Sequence, residues 1–345
     1  MKKILILFWI FINAGFIFGQ QQTIDYILKA RALRESGKPD QAINLLNGAA
    51  NASDDSRLLI ERAEANIAKG DYSGAIHDFN EANRITPLSG EYGLSRTYAL
   101  KGDASTAVYH LGLSMNSPFK KAEKEIMLDQ AFNNLENRPE WRQFWKKEWY
   151  SNSEKSVSEI EYYVSAGKID ESKEVLSELK NSNDNEDDIV YAEALVNQAS
   201  GKNQEVIKAL SGLNTTNNKY LLLLAKAQVE QNDPSGASVT YTQLLNSGIA
   251  DADLYLKRAD CFRKTGESDK AMTDIKKYLA IYPDNRAALS LAGRVEVKSG
   301  DNLQALEYFS RNLKLHPNDP QVYLDRADSY FISKSWDNAI SDYGM

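Results

Sequence analysis

The sequence predicts an all-α fold of antiparallel helical hairpins that repeat every 34 residues. Small residues recur at this spacing in two series, and bulky residues recur in two more. The small series are Ala225, Ala259, Gly293 and Ala327, then Ala237, Ala271, Ala305 and Ala339. The bulky series are Leu221, Tyr255, Leu289 and Tyr323, then Tyr241, Ile275, Phe309 and Tyr343.

Helix packing explains why these residue types should recur together. A small residue on each helix lets the two backbones approach, and large residues fill the space beside the contact. Pro283 and Pro317 end two of the units, because proline lacks the amide proton that a helix needs. Each unit should therefore fold as helix, turn and helix.

Glycine followed by aspartate marks the turn in several units. Glycine can end a helix in the left-handed conformation, and aspartate can cap the start of the next helix. The pairs are Gly70-Asp71, Gly102-Asp103 and Gly300-Asp301.

These residues resemble the tetratricopeptide repeat family, in which small residues stand at positions 8, 20 and 27 of each unit and proline at position 32. The unit that starts at Ser56 matches with Ala63, Ala75, Phe79, Ala82 and Pro87. The resemblance implies a solenoid, or superhelix, of about nine helical hairpins. The unit that starts at Pro320 stops at its position 26, so we expect an incomplete last unit and a sequence that is a fragment.

The first nineteen residues have the form of a secretory signal peptide. Lys2 and Lys3 precede an uncharged run from Ile4 to Phe18, and Gly19 provides a small residue for cleavage. The alternative is an uncleaved membrane anchor, but this run is shorter than the roughly 20 apolar residues that usually span a bilayer. We expect removal, no stable membrane insertion and export to the periplasm or beyond, without a lipoprotein cysteine.

The repeats fall into two groups, residues 20–119 and 153–345, separated by an aromatic-rich helical joint at residues 120–152. Trp141, Trp145 and Trp149 stand four residues apart in this joint, and on one helix they would form a slowly drifting stripe. One interpretation is a helix packed into the array. The other is an exposed platform for a peptide or a sugar.

The sequence contains no recognisable catalytic or cofactor motif. Cys261 is the only cysteine, so neither an intramolecular disulfide nor a metal site with several thiolates can form. The three histidines are far apart in sequence, and the net charge of -7 disfavours nucleic acid as a partner. We therefore expect a protein that is not an enzyme and that holds no cofactor or metal.

The family resemblance implies that the first helices line a concave surface, with positions 2, 5, 9, 12 and 13 facing inward. In the C-terminal units these positions include Lys226, Asp260, Arg263, Lys264, Arg294, Lys298 and Asp328. One hypothesis is that four of these residues form a groove for an acidic or C-terminal peptide segment. The four are Arg263, Lys264, Arg294 and Lys298. The alternative is a solvated charged face without a ligand.

The resemblance implies an interaction scaffold that binds a protein or peptide on its concave face. The signal-like first nineteen residues lead us to expect this scaffold in the periplasm or cell envelope. A second hypothesis is a glycan- or peptidoglycan-binding protein on a similar frame, with the tryptophan segment as its site. The sequence makes no prediction of the partner's identity or of the oligomeric state.

Overall fold

The computed structural model describes residues 22–51, 54–182, 185–213 and 217–345. Within these ranges all regular secondary structure is helical, which confirms the predicted all-α fold. The chain divides into two compact units, one ending at Ser158 and the other starting at Glu159. The predicted signal peptide, residues 1–19, lies outside the described residues.

The first unit starts with three helical pairs, followed by a segment of shorter helices. The paired helices are α1 (residues 22–35), α2 (Pro39–Asn51), α3 (Ser56–Lys69), α4 (Tyr72–Ile85), α5 (Glu91–Leu100) and α6 (Ala104–Met115). The shorter ones are α7 (Glu123–Met127), a 3-10 helix (Gln130–Leu135) and α8 (Pro139–Phe144). The 3-10 helix packs on α5 and α8 packs on α6, so this segment belongs to the first unit.

The division between the units falls within α9 (Asn152–Ser165), and the remaining helices alternate in pairs through the second unit. They are α10 (Ile169–Asn181), α11 (Glu186–Ala199), α12 (Asn203–Ser211), α13 (Asn218–Glu230), α14 (Pro234–Asn246), α15 (Asp253–Thr265), α16 (Ser268–Leu279), α17 (Arg286–Ser299), α18 (Asn302–Leu315), α19 (Pro320–Ile332) and α20 (Trp336–Tyr343). Each helix from α11 onward contacts the next along the chain, and α17 also contacts α15 and α19. The first helices of neighbouring hairpins therefore lie side by side.

The turns have the predicted chemistry. Gly70 and Gly300 end their helices with φ of 85° and 90°, in the left-handed region that favours glycine. The carboxylate of Asp71 then accepts a hydrogen bond from the amide of Gly74, and Asp301 does the same for Gln304. Each aspartate satisfies a free donor at the start of a helix.

The repeating small residues lie where the helices approach most closely. Every alanine of the two small series is at most 2% exposed. Gly293 shows why a small residue is needed, since a Cβ atom built on it would lie 2.3 Å from the ring of Phe309. Phe309 is itself 1% exposed, so the glycine of the first helix is covered by the aromatic residue of the second.

A buried ion pair that the sequence analysis missed recurs in three hairpins. In each of these units, the arginine at position 7 lies on the first helix and the aspartate at position 23 lies on the second helix. The arginine donates two hydrogen bonds to the aspartate. Arg258 also donates to Thr242 on the preceding hairpin, so its guanidinium joins three helices. The pairs are Arg62 with Asp78, Arg258 with Asp274, and Arg326 with Asp342.

The described part of the chain holds no helix that is both long and apolar enough to cross a lipid bilayer.

We predict that replacing Gly293 by alanine destabilises the protein, although alanine is the better helix former by about 1 kcal/mol. The added methyl group would overlap the ring of Phe309, and overpacking costs about 1 to 3 kcal/mol. Gly48 is the matched control, because it also lies within a helix but has open space around it. Urea unfolding followed by circular dichroism should show Gly293→Ala losing stability and Gly48→Ala gaining it. Equal shifts in the same direction would contradict the close approach.

We predict that Arg258→Met lowers the free energy of unfolding by about 3 kcal/mol, because it leaves a buried carboxylate unpaired. Asp274 is 2% exposed, and Arg258 supplies both hydrogen bonds from a cation. Lys270→Ala breaks an exposed pair with Glu267 and should have little effect. Urea unfolding measures the stability of both variants. Equal losses of unfolding free energy would contradict a larger contribution from the buried pair than from the exposed one.

Candidate functional site

The seven residues predicted to contact a partner all lie on the first helices of the last four hairpins, α13, α15, α17 and α19. The structure brings three of the cations together. Lys298 on α17 donates a 2.5 Å hydrogen bond to the carbonyl of Arg263 and reaches the carbonyl of Lys264 at 3.5 Å. The Lys298 ammonium therefore caps the C-terminal end of α15, where free carbonyl groups favour a cation.

Asp260 partly neutralises the other two cations of this cluster. Its carboxylate lies 2.7 Å from the guanidinium of Arg263 and 2.9 Å from the ammonium of Lys264. Burial acts to raise the pKa of Asp260, but hydrogen bonds from Lys264 and Arg263 outweigh it and hold the pKa below its ordinary value. Asp260 therefore stays charged at neutral pH, and two cations share one carboxylate.

Arg294 is held by the next hairpin. Its guanidinium donates hydrogen bonds of 2.9 and 3.1 Å to Asp325 on α19, and Asp325 is 7% exposed. Arg286 on α17 pairs in the same way with Asp319, just before α19. These pairs join neighbouring first helices. Arg294 therefore helps to hold two hairpins together and is also part of the charged surface.

The remaining two predicted residues have partners of their own outside the cation cluster. Lys226 lies 3.9 Å from Glu230 on its own helix. Asp328 accepts a 2.6 Å hydrogen bond from the hydroxyl of Tyr343. Asp260 and Asp325 thus offset two of the four positive charges that were expected to form a groove, and the basic groove stays a prediction.

Apolar residues share the positions that were predicted to face inward, and the sequence analysis omitted them. These residues are between 37% and 55% exposed. The same unit positions that selected the charged residues also contain these apolar residues. They stand at positions 5, 12 and 13 of two units: Leu222, Val229, Leu324, Phe331 and Ile332. The first-helix face therefore offers apolar contact beside charged groups.

The aromatic joint is mainly a packing element. Trp141 is 5% exposed and Phe144 6%, and both belong to a buried cluster with residues of α6. The predicted stripe of three tryptophans on one helix is wrong, because α8 ends at Phe144. Trp149 lies beyond the helix, and its indole nitrogen donates to the carbonyl of Phe144.

The residues considered for catalysis occupy structural positions. Cys261 is buried, and burial raises the pKa of its thiol to about 11, so the reactive thiolate is scarce at neutral pH. His110 lies 2.6 Å from the carboxylate of Glu91 and stacks on Tyr98. In the described residues, no group of three or more histidine, cysteine or acidic side chains is arranged to hold a metal ion.

Parts of this chain are similar in sequence to known proteins. The chain is 23% identical over 344 residues to the mitochondrial import receptor subunit TOM70 of Saccharomyces cerevisiae, covering 91% of this chain and 52% of that protein. It is 26% identical over 131 residues to DnaJ homolog subfamily C member 3 of Gallus gallus, covering 34% of this chain and 26% of that protein. The chain thus spans about half or less of the length of these relatives.

Among solved structures, the Cut9–Hcn1 hetero-tetramer of the APC/C matches 91% of this chain and 78% of its own, with a TM-score of 0.42 and 13% identity. A sequence profile described as the tetratricopeptide repeat matches residues 27–89, 222–286 and 290–344. These three segments cover more than half of the chain and fall in both units. The chain belongs to the tetratricopeptide repeat family.

Proposed function

We propose that this protein is a non-catalytic scaffold that binds a segment of a partner protein on the first helices of its last four hairpins. The observation that carries the proposal is the exposure of Leu222, Leu324 and Phe331, which stand at positions predicted to face inward. Exposed apolar groups beside charged ones are typical of protein interaction surfaces. Membership of the repeat family supports a role in binding proteins.

The partner segment is amphipathic, with apolar side chains for α13 and α19 and carboxylates for the cluster between them. Lys264 is 38% exposed on its side chain, and Lys298 is also exposed, so both can reach a partner. Because Asp260 and Asp325 offset two of the four cations, the surplus of charge on this cluster is small. Apolar contact therefore provides most of the affinity, and charge selects the partner.

The proposed setting is the periplasm or cell envelope of a bacterium. Lys2, Lys3 and the uncharged run from Ile4 to Phe18 support export. In this setting the scaffold would assemble or retain a larger complex. The glycan-binding hypothesis is not carried further, because Trp141 is buried and α8 ends before Trp149.

We predict that the double variant Lys264→Ser and Lys298→Ser weakens partner capture and reduces its dependence on salt. Arg263 and Arg294 are left in place, because removing Arg294 would strand the buried carboxylate of Asp325. The matched control is Lys276→Ser and Lys314→Ser, exposed lysines on the second helices α16 and α18.

Chemical cross-linking in intact cells of the native host, followed by mass spectrometry, measures the capture. The first double variant should lose trapped partner protein relative to wild type, while the control keeps it. Equal capture by wild type and both variants would remove the cation cluster from the binding face. If the wild type captures no protein, the proposed protein-binding function is contradicted.

A further inference from the structure

The hairpin formed by α19 and α20 carries more exposed large apolar residues than any other hairpin in the described part of the chain. Six of its residues are between 43% and 69% exposed, and no other described hairpin carries more than three such residues. Three of the six lie on α20: Trp336, Ile340 and Tyr343. They stand at i, i+4 and i+7, so they form one apolar stripe along the helix. A contiguous patch of this kind is typical of an interaction surface.

The α20 helix is fixed on α19 by residues outside the stripe. Ala339 is 2% exposed, and Asp342 accepts two hydrogen bonds from Arg326 on α19. The ring of Trp336 meets the ring of Phe331 edge to face, with their centroids 5.0 Å apart. The stripe is therefore formed before any partner arrives, which lowers the cost of ordering on binding.

The same unit positions are packing positions in earlier hairpins. Ile340 stands at position 21 and is 69% exposed, whereas Met272, two repeats earlier, is 7% exposed. Met272 belongs to one buried cluster with Ala292 on α17, the first helix of the following hairpin. Tyr343 stands at position 24 and is 46% exposed, whereas Phe309 at the same position is 1% exposed. The α20 stripe thus continues an interface that the array already uses between its hairpins.

The exposed apolar surface of this hairpin is large enough to form the centre of an interface. The half-exposed rings of Phe331, Trp336 and Tyr343 can bury roughly 300 Å² together, because an aromatic side chain buries about 150 to 250 Å² in all. A stable interface takes about 800 Å² from each partner. Ile332 and Ile340 add aliphatic surface, and the polar residues around the patch provide the rim.

The chemistry of the stripe favours a second copy of the same chain as its partner. The stripe contains no charged residue, so it offers nothing that would select a partner of opposite charge. It has an aromatic residue at each end and an aliphatic residue between them. An antiparallel second copy places Trp336 against Tyr343 of the other copy and Ile340 against itself, so like chemistry meets like at every contact. The helix dipoles also favour the antiparallel arrangement.

We infer that two copies of this protein form a dimer through α20, with the two helices antiparallel about a two-fold axis near Ile340. The dimer joins two of the proposed partner sites in one assembly, so a partner with two binding segments is held more tightly than by one copy. The contact depends on residues of a second helix, whereas the proposed partner site lies on first helices. The inference can therefore fail without affecting the proposed function.

The test uses the protein isolated from its native host, so that any residues outside this sequence are included. Sedimentation velocity across a roughly hundredfold range of concentration measures the mass of the assembly, and we predict a concentration-dependent dimer. Ile340→Glu should raise the dissociation constant of the dimer at least tenfold, because it brings two carboxylates together in an apolar contact. Leu303→Glu is the matched control, since Leu303 is 79% exposed on the second helix α18, and it should leave the constant unchanged.

A cysteine cross-link tests the two-fold geometry. Ile340→Cys should give a disulfide-linked dimer on mild oxidation, because a residue near the axis meets its own counterpart, and Leu303→Cys should stay monomeric under reducing-free electrophoresis. Cys261 is buried and does not compete. Circular dichroism confirms that each variant is folded, as expected for exposed side chains. Three results would overturn the inference. These are a monomer at every concentration, as a further hairpin of the same chain on this face would give, equal dimerisation of the Ile340→Glu variant, and larger oligomers without the Ile340→Cys disulfide.

Discussion

Close approach of two helix backbones within each hairpin is the constraint on which the structure depends. The alanines from Ala225 to Ala339 that mark the repeat are almost completely buried, and Gly293 leaves no room for a Cβ atom beside Phe309. A hairpin alone cannot bury both faces, so each pair must stack on its neighbour. The pairs of arginine and aspartate at positions 7 and 23 fit the same geometry, because they require the two helices to lie at a fixed distance.

The first helices also pair with one another through charged side chains, which accounts for part of their charge. Neighbouring first helices are joined by ion pairs such as Arg31 with Glu61, Arg96 with Glu64, and Arg294 with Asp325. Several charged residues on this face therefore have a partner about one repeat away, whereas Lys226 and Asp260 pair within their own helices. Exposed apolar residues such as Leu222 and Leu324 lie on the first helices beside these charged groups.

The fold could be predicted from the sequence because small and bulky residues recur every 34 residues at the positions where helices pack. The caps at Asp71 and Asp301 were equally predictable, because they depend only on neighbours along the chain. The candidate site was harder to predict, since Arg294 and Lys298 find their partners on other hairpins. The position of Trp149 could not be predicted either, because it depends on where α8 ends.

The division of roles between first and second helices can be measured with a photo-reactive amino acid. p-Benzoylphenylalanine would replace Leu222 or Leu324 on first helices, and Val239 or Leu303 on second helices, all of which are exposed apolar residues. Irradiation of native host cells should yield covalent protein adducts from Leu222 and Leu324 and none from Val239 and Leu303. Adducts from the second helices alone would contradict the assignment of partner binding to the first helices.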